Sequence, residues 1–195
     1  MQPLDGSTLD RLFHSARTPN AFLDLPVSDD ELGRIWEILR WAPTSANCSP
    51  LRVVYAKSPA AKESLLRCVD PGNSRKVLSA PVTAILGMDM RFHDKLGRLF
   101  PHTDAKAWFE GDDAKIADTA FRNSTLQGAY FMLAARAIGL DCGPMSGFDR
   151  KAVDEAFFAG THVRSNFLCN LGHGDPASVF PRSPRLEFHE ACRIA

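Results

Sequence analysis

The stretch from Asp112 or Asp113 to Gly139 constrains this chain most. Along it Ile116, Ala120, Phe121, Ser124, Gln127, Phe131, Ala134, Ala135 and Ile138 recur at helical spacing. The pattern predicts one long helix, closed at Gly139 by a left-handed cap. Small residues dominate its middle (Gly128, Ala129, Ala134, Ala135, Ala137), so another helix can approach closely. Such a helix is expected to be the core of the domain or of a dimer. Ahead of it, Pro81 opens the apolar run Val82 to Met88. Its near-continuous hydrophobicity predicts a central strand buried on both faces.

The remaining elements follow from caps and breakers. Ser7 to Ser15 reads as a first helix capped by Ser7. Ser28 and Glu31 form a capping box, and the helix behind them lines up Leu32, Ile35, Trp36 and Leu39. Val53 to Tyr55 is a short strand. Ser58 caps a helix with Pro59 at its first position. Asp70 to Asn73 reads as a turn before a short helix containing Lys76. Arg91 to Glu110, broken by Gly97 and Pro101, reads as a mobile helical excursion over a site. Asp141 to Asp149 reads as a glycine-bearing ligand loop whose Asp149 caps the helix Arg150 to Phe158. Ser165 to Leu171 is a strand, and the tail from Pro181 to Leu186 is basic and proline-stiffened. With no internal repeat and no linker, residues 1–195 form one domain.

Charge and cysteine usage remove several function classes. Lys plus Arg and Asp plus Glu number 23 each. That balance argues against non-specific nucleic-acid binding and against a polybasic membrane patch. No apolar run reaches the roughly 18 residues of a membrane span. The first ten residues carry two acids and no apolar core, so no signal peptide is visible and a cytoplasmic protein is expected. The five cysteines form no Cys-x-x-Cys pair and fit reduced thiols. Asp89 and His93 are the one hint of metal-ligand spacing, and a lone pair is ordinary surface chemistry. No dinucleotide fingerprint, phosphate-binding Walker loop or nucleophile elbow occurs.

Polar loops carry the chemistry instead. Trp41 to Pro50 places six small or polar residues between two prolines, where a helix gives way to a strand. Ala42 and Ser49 precede prolines and are biased toward extended geometry. The loop offers the Thr44 and Ser45 hydroxyls, the Asn47 amide and free backbone N–H groups, which suits a flat ligand edged with carbonyls and ring nitrogens. Cys48 has no histidine near it in sequence and is a poor nucleophile candidate. Arg17, Thr18 and Asn20 follow the first helix. Asn73 and Lys76 share a helix face. Gly143 to Gly147 offers backbone donors. Arg182 and Arg185 lie in the tail, and arginines from both chain ends can hold one phosphate by bidentate bonds.

Five runs taken in order resemble the nitroreductase flavoprotein family over nearly the whole chain. They are Arg-Thr-Pro-Asn-Ala-Phe (17–22), Pro-Thr-Ser-Ala-Asn-Cys-Ser-Pro (43–50), Gly-Asn-Ser-Arg-Lys-Val-Leu-Ser-Ala-Pro (72–81), the segment 137–149, and Pro-Arg-Ser-Pro-Arg-Leu (181–186). Within the family, 43–50, Thr-Ala-Phe-Arg-Asn-Ser and Gly-Pro-Met-Ser-Gly-Phe-Asp look most like the malonic semialdehyde reductase branch of pyrimidine degradation. The resemblance implies an α+β fold with a central mixed, mostly antiparallel sheet flanked by helices, in an intertwined homodimer that binds FMN at the subunit interface. By position, Arg17, Thr18 and Asn20 would hold the phosphate and ribityl chain, with Arg182 or Arg185. Pro43, Thr44, Ser45 and Asn47 would reach the flavin from the partner chain. Asn73 and Lys76 would meet its pyrimidine edge. Pro144, Met145, Ser146 and Gly147 would present a backbone N–H near N5, so hydride chemistry would sit beside Gly143 to Gly147.

Three departures matter. Ala16 stands where the family often has a basic residue, Asn20 where one is common, and Ser146 where some members carry Glu. The implied activity is ping-pong hydride transfer from NADPH or NADH to a small aldehyde, quinone or nitro compound. The rival readings are a broad nitro or quinone reductase, and a flavin-binding carrier or sensor without turnover. No proton donor or substrate-carboxylate clamp is legible.

Overall fold

A computed structural model describes residues 2–195. It opens with a short helix α1 (Gly6–Leu9), followed by a wide π turn over Asp10–His14. The cap is Asp5, not Ser7: its carboxylate accepts from the Thr8 N–H at 2.8 Å, and the Ser7 hydroxyl itself donates to Asp5 at 2.6 Å. A carboxylate is the stronger acceptor at the positive end of a helix. Helix α2 (Asp29–Leu39) carries the expected capping box between Ser28 and Glu31 and buries Leu32, Ile35 and Leu39. Trp36, from the same expected stripe, stays 40% exposed.

Strand β1 (Leu51–Ala56) leads to α3 (Pro59–Leu66), capped by Ser58 with Pro59 in its first turn. Helix α4 (Pro71–Ser79) starts directly at Pro71, so the expected turn is the helix's own first turn. Proline is tolerated there because the first N–H groups have no helical acceptor anyway. Strand β2 (Val82–Asp89) is buried at every residue. The excursion that follows contains α5 (Leu96–Leu99) and sends Phe92, Leu96, Ala105 and Phe109 into a third core cluster with Cys48, Met88, Ile116 and Ala120. Helix α6 (Asp113–Ala137) spans 25 residues, capped by Asp112.

Strand β3 (Asp141–Met145) occupies the first half of the expected ligand loop. Gly143 and Pro144 read as breakers, yet proline is accommodated on a sheet edge. Helix α7 (Arg150–Phe157), capped by Asp149, and strand β4 (Val163–Gly172) follow, and α8 (Phe188–Ala191) closes the tail.

The sheet runs β1-β2-β4-β3. All three pairings are antiparallel, and no parallel pair of the expected mixed sheet occurs among the described residues. Between β2 and β4 the register steps over Asn166, whose amide is bonded to Ser124 and Thr125 of α6. One face packs Ala84 and Leu86 against Ile35 and Leu39 of α2 and Phe131 and Ala135 of α6. The other packs Ile85 and Leu168 against Leu65, Val77 and Val153 of α3, α4 and α7. Each fully buried large side chain contributes about 2–3 kcal/mol relative to exposure. Helix α6 lies so close to the sheet that a Cβ at Gly128 would fall 2.6 Å from the Phe167 ring.

Candidate functional site

Three polar clusters stand out around the edges of the sheet. The first is the proline loop ahead of β1. Ala46, Asn47 and Ser49 all have positive φ, at 49°, 49° and 40°. Ser49 is therefore left-handed and not extended as its proline neighbour suggests. Its N–H turns inward to the Thr44 hydroxyl at 3.1 Å, which closes the loop on itself. The Ser45 N–H donates to Asn123 Oδ1 at 2.8 Å, and the Leu51 N–H donates to Gln127 Oε1 at 2.9 Å. The Asn47 amide donates to the Leu99 carbonyl at 2.8 Å, so in this chain it faces the excursion. Pro43, Ser45 and Asn47 are exposed, while Thr44 is half-buried. Cys48 is fully buried, and burial pushes its thiol up to about 11, which rules it out as a nucleophile. A pocket of about 760 Å³ beside the loop is lined by Trp41, Asn47, Ser49, Tyr55 and Gln127.

The second cluster joins α4 to the end of β3. Asn73 Nδ2 donates to the Gly147 carbonyl at 2.9 Å, and the Asp70 N–H donates to the same oxygen at 3.1 Å. A Cβ at Gly147 would lie 2.7 Å from both Asn73 Nδ2 and Asp70 Oδ2, so any side chain there would have to push these two groups aside. Gly143 is buried in β3 against Asn170. Pro144 and Ser146 are exposed, and Met145 is half-buried. Lys76 shares the Asn73 face of α4, is half-buried, and has no salt-bridge partner among the described residues. The far end of α4 is held by Lys62, whose ammonium donates to the Val77 and Ala80 carbonyls.

The third cluster joins the two chain ends. Arg17 donates to the Phe180 carbonyl. Arg182 donates to the carbonyls of His14 at 2.6 Å and Ala16 at 3.2 Å. Arg17, Thr18, Arg182, Arg185 and Arg136 line a pocket of about 410 Å³. Arg185 bonds only its neighbours' carbonyls, Ser183 and Pro184, at 2.9 and 3.0 Å. Asn20 turns away and donates to the Ser178 carbonyl at 2.9 Å.

The sheet fixes the distances between these clusters. Ala16 and Arg136 line both the arginine pocket and a neighbouring one that reaches Asp141, the first residue of β3. The arginine pocket and the Gly147 turn therefore flank the two ends of β3, roughly 15–20 Å apart by strand rise. The proline loop enters β1, on the opposite edge. Met145 pairs with Leu168, Leu168 with Ile85, and Ile85 with Val54. Leu51 thus lies three strand spacings across and three residues along from Met145, on the order of 17 Å away.

Asn123 and Gln127, which bond the proline loop, and Arg136, which lines the arginine pocket, are not among the site candidates that the motifs supply. The available signal was polarity: Asn123 and Gln127 are 2% and 1% exposed on a helix face that, Ser124 aside, is otherwise apolar.

The model of the nitroreductase family matches residues 14–173. The chain belongs to the nitroreductase family. A Burkholderia lata protein bearing the provisional name NADH dehydrogenase/NAD(P)H nitroreductase is 60% identical over 194 residues, covering 100% of both chains. A similarly named protein of Polynucleobacter asymbioticus is 58% identical over 191 residues, covering 98% of this chain and 97% of its own. This nitroreductase fold also superposes on a provisionally named nitroreductase of Exiguobacterium sibiricum, solved in complex with FMN. The TM-score is 0.86 at 20% identity, with 100% of this chain and 99% of that one covered. A Bacillus subtilis nitroreductase structure gives a TM-score of 0.85 at 21% identity over 98% and 100% of the two chains.

Proposed function

We propose that this nitroreductase-family chain is an FMN-dependent NAD(P)H oxidoreductase that works as a homodimer. One observation carries the reading: an arginine pocket and a glycine turn with an adjacent lysine mark the two ends of the single strand β3. A molecule with a phosphate at one end, a polyol in the middle and a flat polar ring at the other fits that spacing. The donor sets match the group. Arg17, Arg185 and Thr18 would hold the phosphate by charge-assisted bonds. Asn20, with its amide bonded to Ser178, would serve the ribityl chain through its backbone. Asn73 and Lys76 would meet the pyrimidine edge, and the backbone from Pro144 to Gly147 would meet the central ring.

Bound there, FMN would supply the hydride-carrying chemistry between the nicotinamide and the second substrate. The chain's own task is placement. Lys76 would bring a positive charge to the pyrimidine edge, which would favour reduction of the ring. The tight Gly147 turn lets backbone approach the ring without a side chain between them. The 17 Å between Leu51 and Met145 is more than one ring can bridge. Ser45 and Asn47 would therefore come from a second copy, and 80% exposure of Trp41 beside that loop supports an interface there. The buried free thiols of Cys48, Cys68, Cys142 and Cys169 suit a reducing compartment, and we place the protein in the cytoplasm.

For the oxidant we propose malonic semialdehyde, reduced to 3-hydroxypropanoate, on the strength of the runs 43–50, 119–124 and 143–149. A second reading, a broad nitro or quinone reductase, is favoured by the names of the relatives. Anaerobic bleaching of the flavin by NADPH or NADH, followed by reoxidation, separates them. Malonic semialdehyde at low concentration should restore the colour. Restoration by a nitroarene or quinone alone would replace the aldehyde reading, and no bleaching by either nicotinamide would leave a flavin carrier.

A further inference from the structure

We propose that Asn123 and Gln127 are positioning residues that set the proline loop of one subunit in the conformation its partner's flavin requires. The inference rests on the FMN reading, and its first half is visible in the chain itself.

Both side chains sit one helical turn apart on α6, and both are buried, at 2% and 1% exposure. An amide in an apolar stripe is costly to bury unless its bonds are made. Both side-chain oxygens are committed to the proline loop, one at each end. Asn123 Oδ1 accepts from the Ser45 N–H, and Gln127 Oε1 accepts from the Leu51 N–H. The Asn123 orientation is unambiguous, because its Nδ2 donates to the Thr119 carbonyl at 2.9 Å.

Between those two anchors lie Ala46, Asn47 and Ser49, three non-glycine residues at positive φ. Such residues leave the left-handed region unless their surroundings hold them there. Local propensity does not supply the hold, since alanine and serine have little preference for it. The Thr44–Ser49 bond closes the loop from within, but it does not fix where the loop stands on the domain. The two amides do. Held this way, Ser45 and Asn47 both stay exposed, with the Asn47 amide resting on the Leu99 carbonyl of its own chain.

A bland alternative is that the amides merely satisfy buried N–H groups. The two accounts differ in what a loss of the acceptor does to flavin binding at constant stability. The test compares Asn123→Leu and Gln127→Met, which remove the acceptors, with Gln127→Glu, which keeps one. Ile35→Val loosens the core cluster that also holds Leu51 while leaving both acceptors in place, and serves as the control. Three quantities are read on the full-length protein: melting temperature, amide exchange of residues 44–51 without flavin, and FMN affinity by fluorescence titration.

In both acceptor-removing variants, exchange at Ser45 and Leu51 is expected to accelerate about tenfold or more. The FMN dissociation constant is expected to rise about tenfold or more. Gln127→Glu should restore most of both, and Ile35→Val should change neither, even where its melting temperature falls equally. If Asn123→Leu does not fold, Gln127→Met alone decides. Unchanged exchange at 44–51 would overturn the clamp. Faster exchange with an affinity no weaker than that of Ile35→Val would overturn its role toward the cofactor. If the wild-type protein takes up no FMN, the cofactor reading falls and the exchange result still judges the clamp.

Discussion

The Asn73 side-chain amide donates to the Gly147 carbonyl at 2.9 Å, which locks α4 against the end of β3. Lys76 rides on the same helix, three residues on and half-buried. Lys76→Met is expected to keep a fraction of the flavin while slowing its reduction by NAD(P)H roughly 10- to 100-fold, equivalent to about 1.4–2.7 kcal/mol of barrier. Anaerobic stopped-flow absorbance measures this. Full flavin content with an unchanged rate would remove Lys76 from the chemistry.

Gly147→Ala is expected to fail differently. The new methyl group would collide with Asn73 and Asp70, each 2.7 Å from it. Forcing it in should cost about 1–3 kcal/mol of stability and open the turn. Denaturant melts and FMN titration should move together, and a neutral outcome in both would show that the turn has room to spare.

The tail arginines divide by their bonds. Arg182 staples the tail to His14 and Ala16, whereas Arg185 bonds only adjacent carbonyls and is free to turn into the pocket. Arg17→Ala combined with Arg185→Ala is expected to weaken FMN binding by about 100-fold or more, since charge-assisted bonds contribute about 1.5–3 kcal/mol each. Arg182→Ala should loosen the tail, visible as faster proteolysis after Phe180. Full flavin occupancy in the double variant would sink the phosphate assignment.

Asp89, at the end of β2, anchors the excursion. It accepts from Arg52 at 2.6 Å, Lys95 at 2.7 Å and the Arg91 N–H at 2.9 Å. Burial would raise its carboxyl, but the bonds from Lys95 and the Arg91 N–H and the Arg52 charge outweigh that and hold it below the ordinary 3.8. A depressed carboxylate contributes stability above its unfolded-state value and loses it as pH falls through the folded-state value. Asp89→Asn should therefore cost about 3 kcal/mol at neutral pH, with the gap to wild type closing below about pH 4. Urea melts across that range are the check, and a constant gap would contradict the assignment.

Much of the fold was legible because local signals agreed with the tertiary structure. The Ser28–Glu31 box, Pro59 in a first turn, Asp149 as a cap and the two-sided apolar run of β2 all formed as read. The failures were tertiary. Gly143 and Pro144 look like loop residues, and only the edge position of β3 makes them a strand. Ser49 is held against its extended bias by a bond to Thr44. The motifs supplied candidate residues, but not their spacing across the sheet, nor the use of Asn123 and Gln127 as acceptors for a loop more than seventy residues away.

In the proposed dimer, two copies of this chain build one FMN site from opposite edges of their sheets. The most direct measurement mixes subunits carrying Lys76→Met with subunits carrying Asn123→Leu and follows flavin bound per dimer. The account expects each heterodimer to regain one site of wild-type composition, with both lesions gathered in the other. Flavin binding by isolated monomers, or heterodimer sites that each behave as only one of the two parents, would contradict it.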